Sequence, residues 1–270
     1  RSHCRHSLPI IWLFSKNSQL TLPGKAKAGK QVTVKVSWNH EKYTAKASAD
    51  GHFSIEVPTP PAGGPYQIIV SDGEKLVLNN VLSGEVWICS GQSNMEMPVA
   101  GWGKVMNYEQ EVADADYPSI RLLQVKKTVA FSPQDNVEMN MNGWQECSSA
   151  TVPEFSSVAY FYARKLWKEL NVPVGVIDCT WGGTPAESWT SHQTLKQVVG
   201  FQKRWPKWKA QASKERNLSN FTIGKWTSGF SSLMPRMPDS KTEFPNGYQL
   251  FRQGMNGNRW NCPLIGKLAD

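Results

Sequence analysis

The chain has 270 residues, of which 40% are hydrophobic and 19% charged, a composition that supports a packed core and argues against disorder. Its net charge of +8 is scattered and accompanies no nucleic-acid-binding motif, so a nucleic-acid partner is not expected. The longest apolar run near either end, residues 10–14, is far too short to span a bilayer, which excludes a membrane span there.

The first residues form a basic stretch that is followed by a short apolar one, over residues 1–14. This pattern is compatible with the remnant of a signal peptide, and equally with an error in the gene model. We base no structural prediction on it.

Residues 30–82 have the pattern of short β-strands. Val32, Val34 and Val36 alternate with polar residues, which predicts a strand with one buried face. Asp50-Gly51 separates two strand-like runs and predicts a hairpin between them. Because further strands and turns follow at close intervals, we expect a small antiparallel sandwich. The predicted strands after Val36 cover residues 43–49, 53–57, 66–70 and 76–82.

The pattern changes at Gly84 to that of an α/β protein. Residues 85–89 form a short apolar strand, and another strand is predicted over residues 119–125. A helix capped by Ser156 or Ser157 runs to about Leu170, with an apolar stripe at helical spacing. Residues 174–179 form a mostly apolar run, as in a buried parallel strand, so we expect a right-handed βαβ crossover. The stripe comprises Val158, Phe161, Tyr162, Leu166 and Leu170, and a second helix is predicted over residues 191–213.

Ser93 follows the apolar strand in the sequence Ser90-Gly91-Gln92-Ser93. Enzymes place nucleophilic serines on tight turns after strands, where backbone N–H groups can face a developing oxyanion. Many serines in ordinary turns share this context, so the spacing alone leaves both interpretations open.

Two longer blocks carry a family resemblance. The run from Gly84 to Val99, which contains Cys89-Ser90-Gly91-Gln92-Ser93-Asn94-Met95, resembles the nucleophile block of the sialate O-acetylesterases, members of the SGNH-hydrolase superfamily. The second block is Trp181-Gly182-Gly183-Thr184-Pro185-Ala186-Glu187-Ser188-Trp189, and the resemblance extends over about residues 24–213.

This resemblance implies an α/β fold, in which a three-layer α/β/α SGNH-hydrolase-like domain is preceded by a small antiparallel β-sandwich domain. The sandwich would cover residues 24–82, and residues 83–213 would form an incomplete esterase domain. Residues 1–23 and 214–270 match nothing in the family.

The resemblance also implies the chemistry, namely removal of O-acetyl groups from sialic acid, or a related acetylated sugar, through an acetyl-serine intermediate. No metal or organic cofactor is implied. Ser93 would be the nucleophile, and the backbone N–H groups of Ser93 and of Gly182 or Gly183 would form the oxyanion hole. The candidates for the substrate pocket are Gln92, Asn94 and Trp181. Trp102, Trp181 and Trp189 lie near the matched blocks and could stack on a sugar face, with packing in the core or on the sheet as the alternative.

The chain departs from the family in its catalytic base. The family carries the base in a D-x-x-H motif near the C-terminus, and none of the five histidines here stands in one. His192 is the histidine nearest a matched block, and it is expected to be an exposed polar residue that begins a helix. The simplest interpretation is a fragment or a mis-spliced product. We then expect weak or absent activity, and either marginal stability or association with a partner. The alternative function is a catalytically dead carbohydrate-binding or interaction module.

Cysteines and sequons bear on the compartment. The five cysteines form no C-x-x-C pair, so a zinc site of that type is not predicted, and Cys89 and Cys179 are expected to be buried. Sequons at Asn217 and Asn220 are compatible with a secreted or lysosomal glycoprotein.

Overall fold

The computed structural model describes residues 11–128, 138–140, 143–184, 192–195, 197–198, 200 and 249–252. The sequons, most of the helix predicted over residues 191–213, and nearly all of residues 214–270 lie outside them. In chain order the elements are β1 (Leu13–Ser15), β2 (Gln19–Lys25), β3 (Gln31–Val36), β4 (Lys42–Lys46), β5 (His52–Pro58), β6 (Gly63–Ser71), β7 (Lys75–Gly91), α1 (Ser93–Glu96), α2 (Tyr108–Ala113), β8 (Asp116–Gln124), β9 (Gln145–Ser148), α3 (Ser157–Leu170), β10 (Val174–Thr180), α4 (His192–Leu195) and β11 (Gln249–Arg252).

These elements form a mixed α/β structure around one large sheet. In the described part of the chain the strand order is β4-β3-β6-β7-β10-β8-β9, and β1 and β11 also pair with β7. Strands β2 and β5 form a separate two-stranded sheet. The α/β class that the sequence predicts is confirmed.

Strand β7 passes through both halves of the structure without a break. Its first half pairs antiparallel with β6, and its second half pairs parallel with β10, from Glu85↔Val174 to Gly91↔Thr180. The sequence predicted two strands here, separated at Gly84. They merge because the Glu85 N–H donates to the Pro173 carbonyl at 2.9 Å, and Gly84 leaves room for that carbonyl to pack against the strand. The expected boundary between residues 82 and 83 therefore falls inside a continuous strand.

The hairpin predicted across Asp50-Gly51 is wrong. The turn itself is present, since Gly51 has a φ of +85° and its N–H donates to the Ser48 carbonyl at 3.0 Å. The two strands then part, because β4 pairs with β3 and β5 pairs with β2. The alternate residues Ile55 and Val57 of β5 are buried in a core shared with β2, and a local turn signal does not determine that partner.

One hydrophobic core joins the two-stranded sheet to the N-terminal half of the large sheet. Trp12, Leu13 and Phe14 are buried in it, so part of the apolar run near the start of the chain, for which no structural prediction is made from the sequence, belongs to the folded protein. The other members include Leu20, Leu22, Val32, Val34, Val36, Ile55, Val57, Ile68, Leu78, Val81 and Leu82.

A second core lies between α3 and the parallel strands. The adjacent strands β8 and β10 are parallel, with Ile120 opposite Val174, as the predicted strand–helix–strand unit requires. The Ser156 hydroxyl caps α3 by accepting from the Ala159 N–H at 3.2 Å. The predicted stripe of α3 is confirmed only in part, because Val158, Phe161 and Leu166 pack against the core while partly buried, and Leu170 is 47% exposed. The apolar residues that the helix buries fully are Ala159, Tyr160 and Ala163, and small alanines let a helix pack closely on a sheet.

Three cysteines in the described residues, Cys89, Cys147 and Cys179, are free and buried, which confirms the prediction for Cys89 and Cys179. Burial raises the pKa of each thiol, to about 12 for Cys147. No helix in the described ranges is both long enough and apolar enough to cross a membrane.

Candidate active site

The nucleophile candidate Ser93 is the first residue of α1, directly after the tight turn that follows β7. Gly91 ends the strand with a φ of +149°, and a Cβ atom there would lie 2.8 Å from Cγ of Met95. A side chain at this position would therefore be strained and would collide with the first turn of α1. Met95 is fully buried and anchors the helix. The predicted strand–turn–serine arrangement is present.

The side chains beside Ser93 are polar and accessible. The Ser93 side chain is half-buried, and its hydroxyl donates to Oε1 of Gln92 at 3.1 Å. Gln92 and Asn94 on either side are exposed. The Ser93 hydroxyl is thus within reach of solvent, as a nucleophile requires.

The second sequence block meets the first at the ends of two neighbouring parallel strands. The backbone N–H of Trp181, just after β10, donates to the Gly91 carbonyl at 2.9 Å. A Cβ atom on Gly182 would lie 3.5 Å from Cβ of Ser93. Gly183 has a φ of +77° and no neighbouring heavy atom within 4 Å of such a Cβ position. The structure therefore brings Ser93 and Gly182 together, while the end of the block, residues 185–189, lies outside the described residues.

Two charged residues at this junction, Glu96 and Lys127, were not predicted from the sequence to be part of the site. The Gly182 N–H donates to Oε2 of Glu96, and Lys127 forms an ion pair with Oε1 of the same carboxylate. Glu96 stands three residues after Ser93, so helical spacing could have pointed to it. Lys127 is distant in sequence and gives no such signal.

The buried carboxylate of Asp178, within β10, forms hydrogen bonds near the end of that strand. Asp178 accepts hydrogen bonds from the Thr180 hydroxyl at 2.7 Å and from the Gln124 amide at 3.0 Å. Burial raises the pKa of Asp178, although these hydrogen bonds and the Lys127 charge favour its ionised form. Because its oxygens are satisfied, Asp178 is a structural support for the strand end rather than a free base.

The histidines in the described residues lie elsewhere. His40 is exposed at the turn between β3 and β4, and His52, on β5, places Nδ1 2.8 Å from the Asp50 carboxylate. His192 begins α4, but its side chain, like the whole of His3 and His6, lies outside the described residues. Within the described part, the Ser93 hydroxyl therefore bonds to Gln92 and to no histidine.

The exposed aromatic residue Trp102 follows α1, the helix that begins at Ser93. Trp102 is 67% exposed at the tip of a turn closed by the bridge between Ala100 and Lys104. A Cβ atom on Gly103 would lie 2.5 Å from Cγ of Met97, so this turn packs against the residue that ends α1. The turn holds the indole outward.

Comparisons with known proteins match this part of the chain. Residues 83–212 match the family described as "Carbohydrate esterase, sialic acid-specific acetylesterase". The chain is 34% identical over 199 residues to sialate O-acetylesterase of Pongo abelii, with 69% of this chain and 36% of the relative covered. For the Homo sapiens protein of the same name, the identity is 34% over 185 residues, with 62% and 34% covered.

The fold is also similar to that of a solved carbohydrate acetylesterase. A carbohydrate acetylesterase from Xanthomonas citri superposes with a TM-score of 0.64 and 30% identity, covering 70% of this chain and 43% of that one. The fold of the described residues is thus similar to that of a carbohydrate acetylesterase. Residues 83–212 belong to the sialate O-acetylesterase family, as the two sequence blocks predicted. The chain spans about a third of the length of the curated relatives it matches.

Proposed function

We propose that the chain is a serine esterase that removes O-acetyl groups from sialic acids through an acetyl-serine intermediate. The observation that carries this proposal is the proximity of Ser93 and Gly182 at the ends of the parallel strands β7 and β10. The family of residues 83–212 supports the same chemistry.

The reaction has two steps. Ser93 Oγ attacks the ester carbonyl and gives up its proton, and the tetrahedral intermediate expels the sugar oxygen, which takes up that proton. Water then attacks the acetyl-serine, one proton of the water passes to Oγ as the acyl bond breaks, and acetic acid leaves and ionises to acetate. The backbone N–H groups of Ser93 and Gly183 stabilise the oxyanion, since the Gly182 N–H already donates to Glu96.

The substrate would lie over the open face of the Ser93 turn. Gln92 and Asn94 are exposed on either side of the nucleophile, and Trp181 is fixed to the Gly91 carbonyl. These three residues are our candidates for contacts with the acetylated sugar. No cofactor has a part in this scheme, and the partner is the O-acetylated sialic acid or a related acetylated sugar.

We propose the finer architecture that the family resemblance implies. Residues 24–82 would form a β-sandwich, which the shared core of β2, β5 and the N-terminal half of the large sheet supports. Residues 83–213 would form a three-layer α/β/α domain, of which α3 supplies one covering layer. A secreted or lysosomal compartment remains a proposal that the sequons motivate.

A second candidate function is a carbohydrate-binding module without catalysis. The observation that favours it is the side-chain bond of Ser93, which in the described residues joins it to Gln92 and not to a base. Without a base, a serine nucleophile loses most of its advantage.

The experiment is the release of acetate from 9-O-acetylated sialic acid by the chain and by Ser93→Ala, with Ser54→Ala as a control at an exposed serine of β5. Release that Ser93→Ala abolishes and Ser54→Ala retains supports the esterase. No release from a sample shown to be folded favours the binding module. Ser93-dependent release that appears only with added imidazole would show a competent site that lacks its base.

A further inference from the structure

The Glu96 carboxylate lies between two parts of the site that are far apart in sequence. Glu96 belongs to the same helical turn as Ser93, whose carbonyl accepts from the Met97 N–H at 2.9 Å. One carboxylate oxygen accepts from the Gly182 N–H, and the other pairs with Lys127. The Glu96 side chain is only 13% exposed and its contact with Gly182 is partly buried, whereas the Lys127 side chain is 45% exposed, so the Gly182 contact is the better shielded from water.

The absence of a side chain on Gly182 makes room for this carboxylate. A Cβ atom on Gly182 would lie 2.5 Å from Oε2 of Glu96, a distance that real Cβ atoms do not adopt. The glycine therefore serves a carboxylate that approaches the backbone, as well as the neighbouring Ser93. Charge-assisted hydrogen bonds of this kind are stronger than neutral ones.

We propose that Glu96 is a positioning residue, which clamps residues 181–184 against α1 so that the Ser93 and Gly183 N–H groups face one point. Lys127 orients the carboxylate by holding its second oxygen. The catalytic consequence rests on the proposed esterase function, whereas the clamp itself does not. Glu96 acts through Gly182 and need not touch the substrate.

The clamp is tested by hydrogen exchange of the peptide that covers residues 181–184, measured by mass spectrometry. Glu96→Ala removes the acceptor, and we expect exchange there to rise about tenfold or more. Glu96→Gln keeps an oxygen that accepts from Gly182, and should stay within about threefold of the unmodified chain. Lys127→Met should fall between the two, and Glu74→Ala, in the exposed turn before β7, should change nothing. Unchanged exchange in Glu96→Ala overturns the clamp, as does equal loss of protection in Glu96→Ala and Glu96→Gln.

The positioning role is tested by steady-state acetate release. We expect Glu96→Ala to lower kcat about tenfold with little change in KM, because oxyanion contacts form only in the transition state. Glu96→Gln should recover most of kcat. Normal kcat in a Glu96→Ala variant that has lost protection at residues 181–184 overturns the role. If the unmodified chain releases no acetate, the esterase proposal fails, and hydrogen exchange still decides the clamp.

Discussion

The Ser156 hydroxyl donates to the Met95 carbonyl at 2.5 Å and at the same time accepts from the Ala159 N–H. It thereby joins the nucleophile helix α1 to the first turn of α3. The next residue repeats the connection, since the Ser157 N–H and hydroxyl both donate to the Met97 carbonyl, at 2.8 and 2.9 Å. The placement of Ser93 thus depends on where α3 begins.

Replacing Ser156 by alanine should lower the free energy of unfolding by about 1–2 kcal/mol, because a helix cap is lost and a buried carbonyl loses its donor. Urea denaturation measures the change. Ser54→Ala, at an exposed serine, should alter stability by less than about 0.5 kcal/mol. Equal effects of the two substitutions would contradict the role given to Ser156.

Gly84→Ala should destabilise the chain by about 1–3 kcal/mol, because its new Cβ atom would collide with the Pro173 carbonyl that packs on β7. Thermal or urea unfolding tests this, with Lys75→Ala at the exposed start of the same strand as the control. If Gly84→Ala leaves the free energy of unfolding unchanged, the close contact between Gly84 in β7 and Pro173, which precedes β10, does not contribute to stability.

Stability should also fall in acid through Glu111, which joins α2 to α3. Burial raises the pKa of Glu111, but the hydrogen bond and charge of Arg164, with bonds from Asn107 and Tyr160, outweigh this and leave the pKa below its ordinary 4.5. A carboxyl with a lowered folded pKa contributes stability that is complete above about pH 4.5 and is lost as pH falls through the folded pKa. We therefore expect Glu111→Gln to cost stability at pH 7 and progressively less toward pH 3. Urea unfolding across that range checks it, and a cost independent of pH would exclude this origin.

Trp102→Ala should raise KM for acetylated sialic acid about three- to tenfold, since an exposed indole face is lost from the turn that follows α1. Hydrolysis of p-nitrophenyl acetate, which has no sugar ring, should be unaffected. Met106→Ala, at a side chain that is fully exposed nearby, is the matched control. If Trp102→Ala raises KM for acetylated sialic acid and for p-nitrophenyl acetate by the same factor, the indole does not contact the sugar.

The features that the sequence predicted are those set by short-range chemistry. The glycine turn before Ser93, the Ser156 cap and the mostly apolar β10 each depend on neighbouring residues. The two family blocks added the meeting of Ser93 with Gly182, which spacing alone did not provide.

The features that were missed depend on partners distant in sequence. The Asp50-Gly51 turn forms as expected, yet the strand after it pairs with β2 because burial of Ile55 and Val57 decides its partner. The α3 stripe was assigned to its larger residues, whereas close packing selected Ala159 and Ala163. The Glu96–Lys127 pair spans 31 positions, and nothing local indicates it.

The continuity of strand β7 through two cores has a consequence for how the protein unfolds. Its two halves contribute to separate cores, through Leu78 and Val81 in one and Cys89 in the other. Melting either core frays the strand on which the other depends, so the described structure should lose its order in a single cooperative transition. A chain divided between residues 82 and 83 would leave a severed strand end on each piece, and neither piece should fold as well alone as the intact chain does.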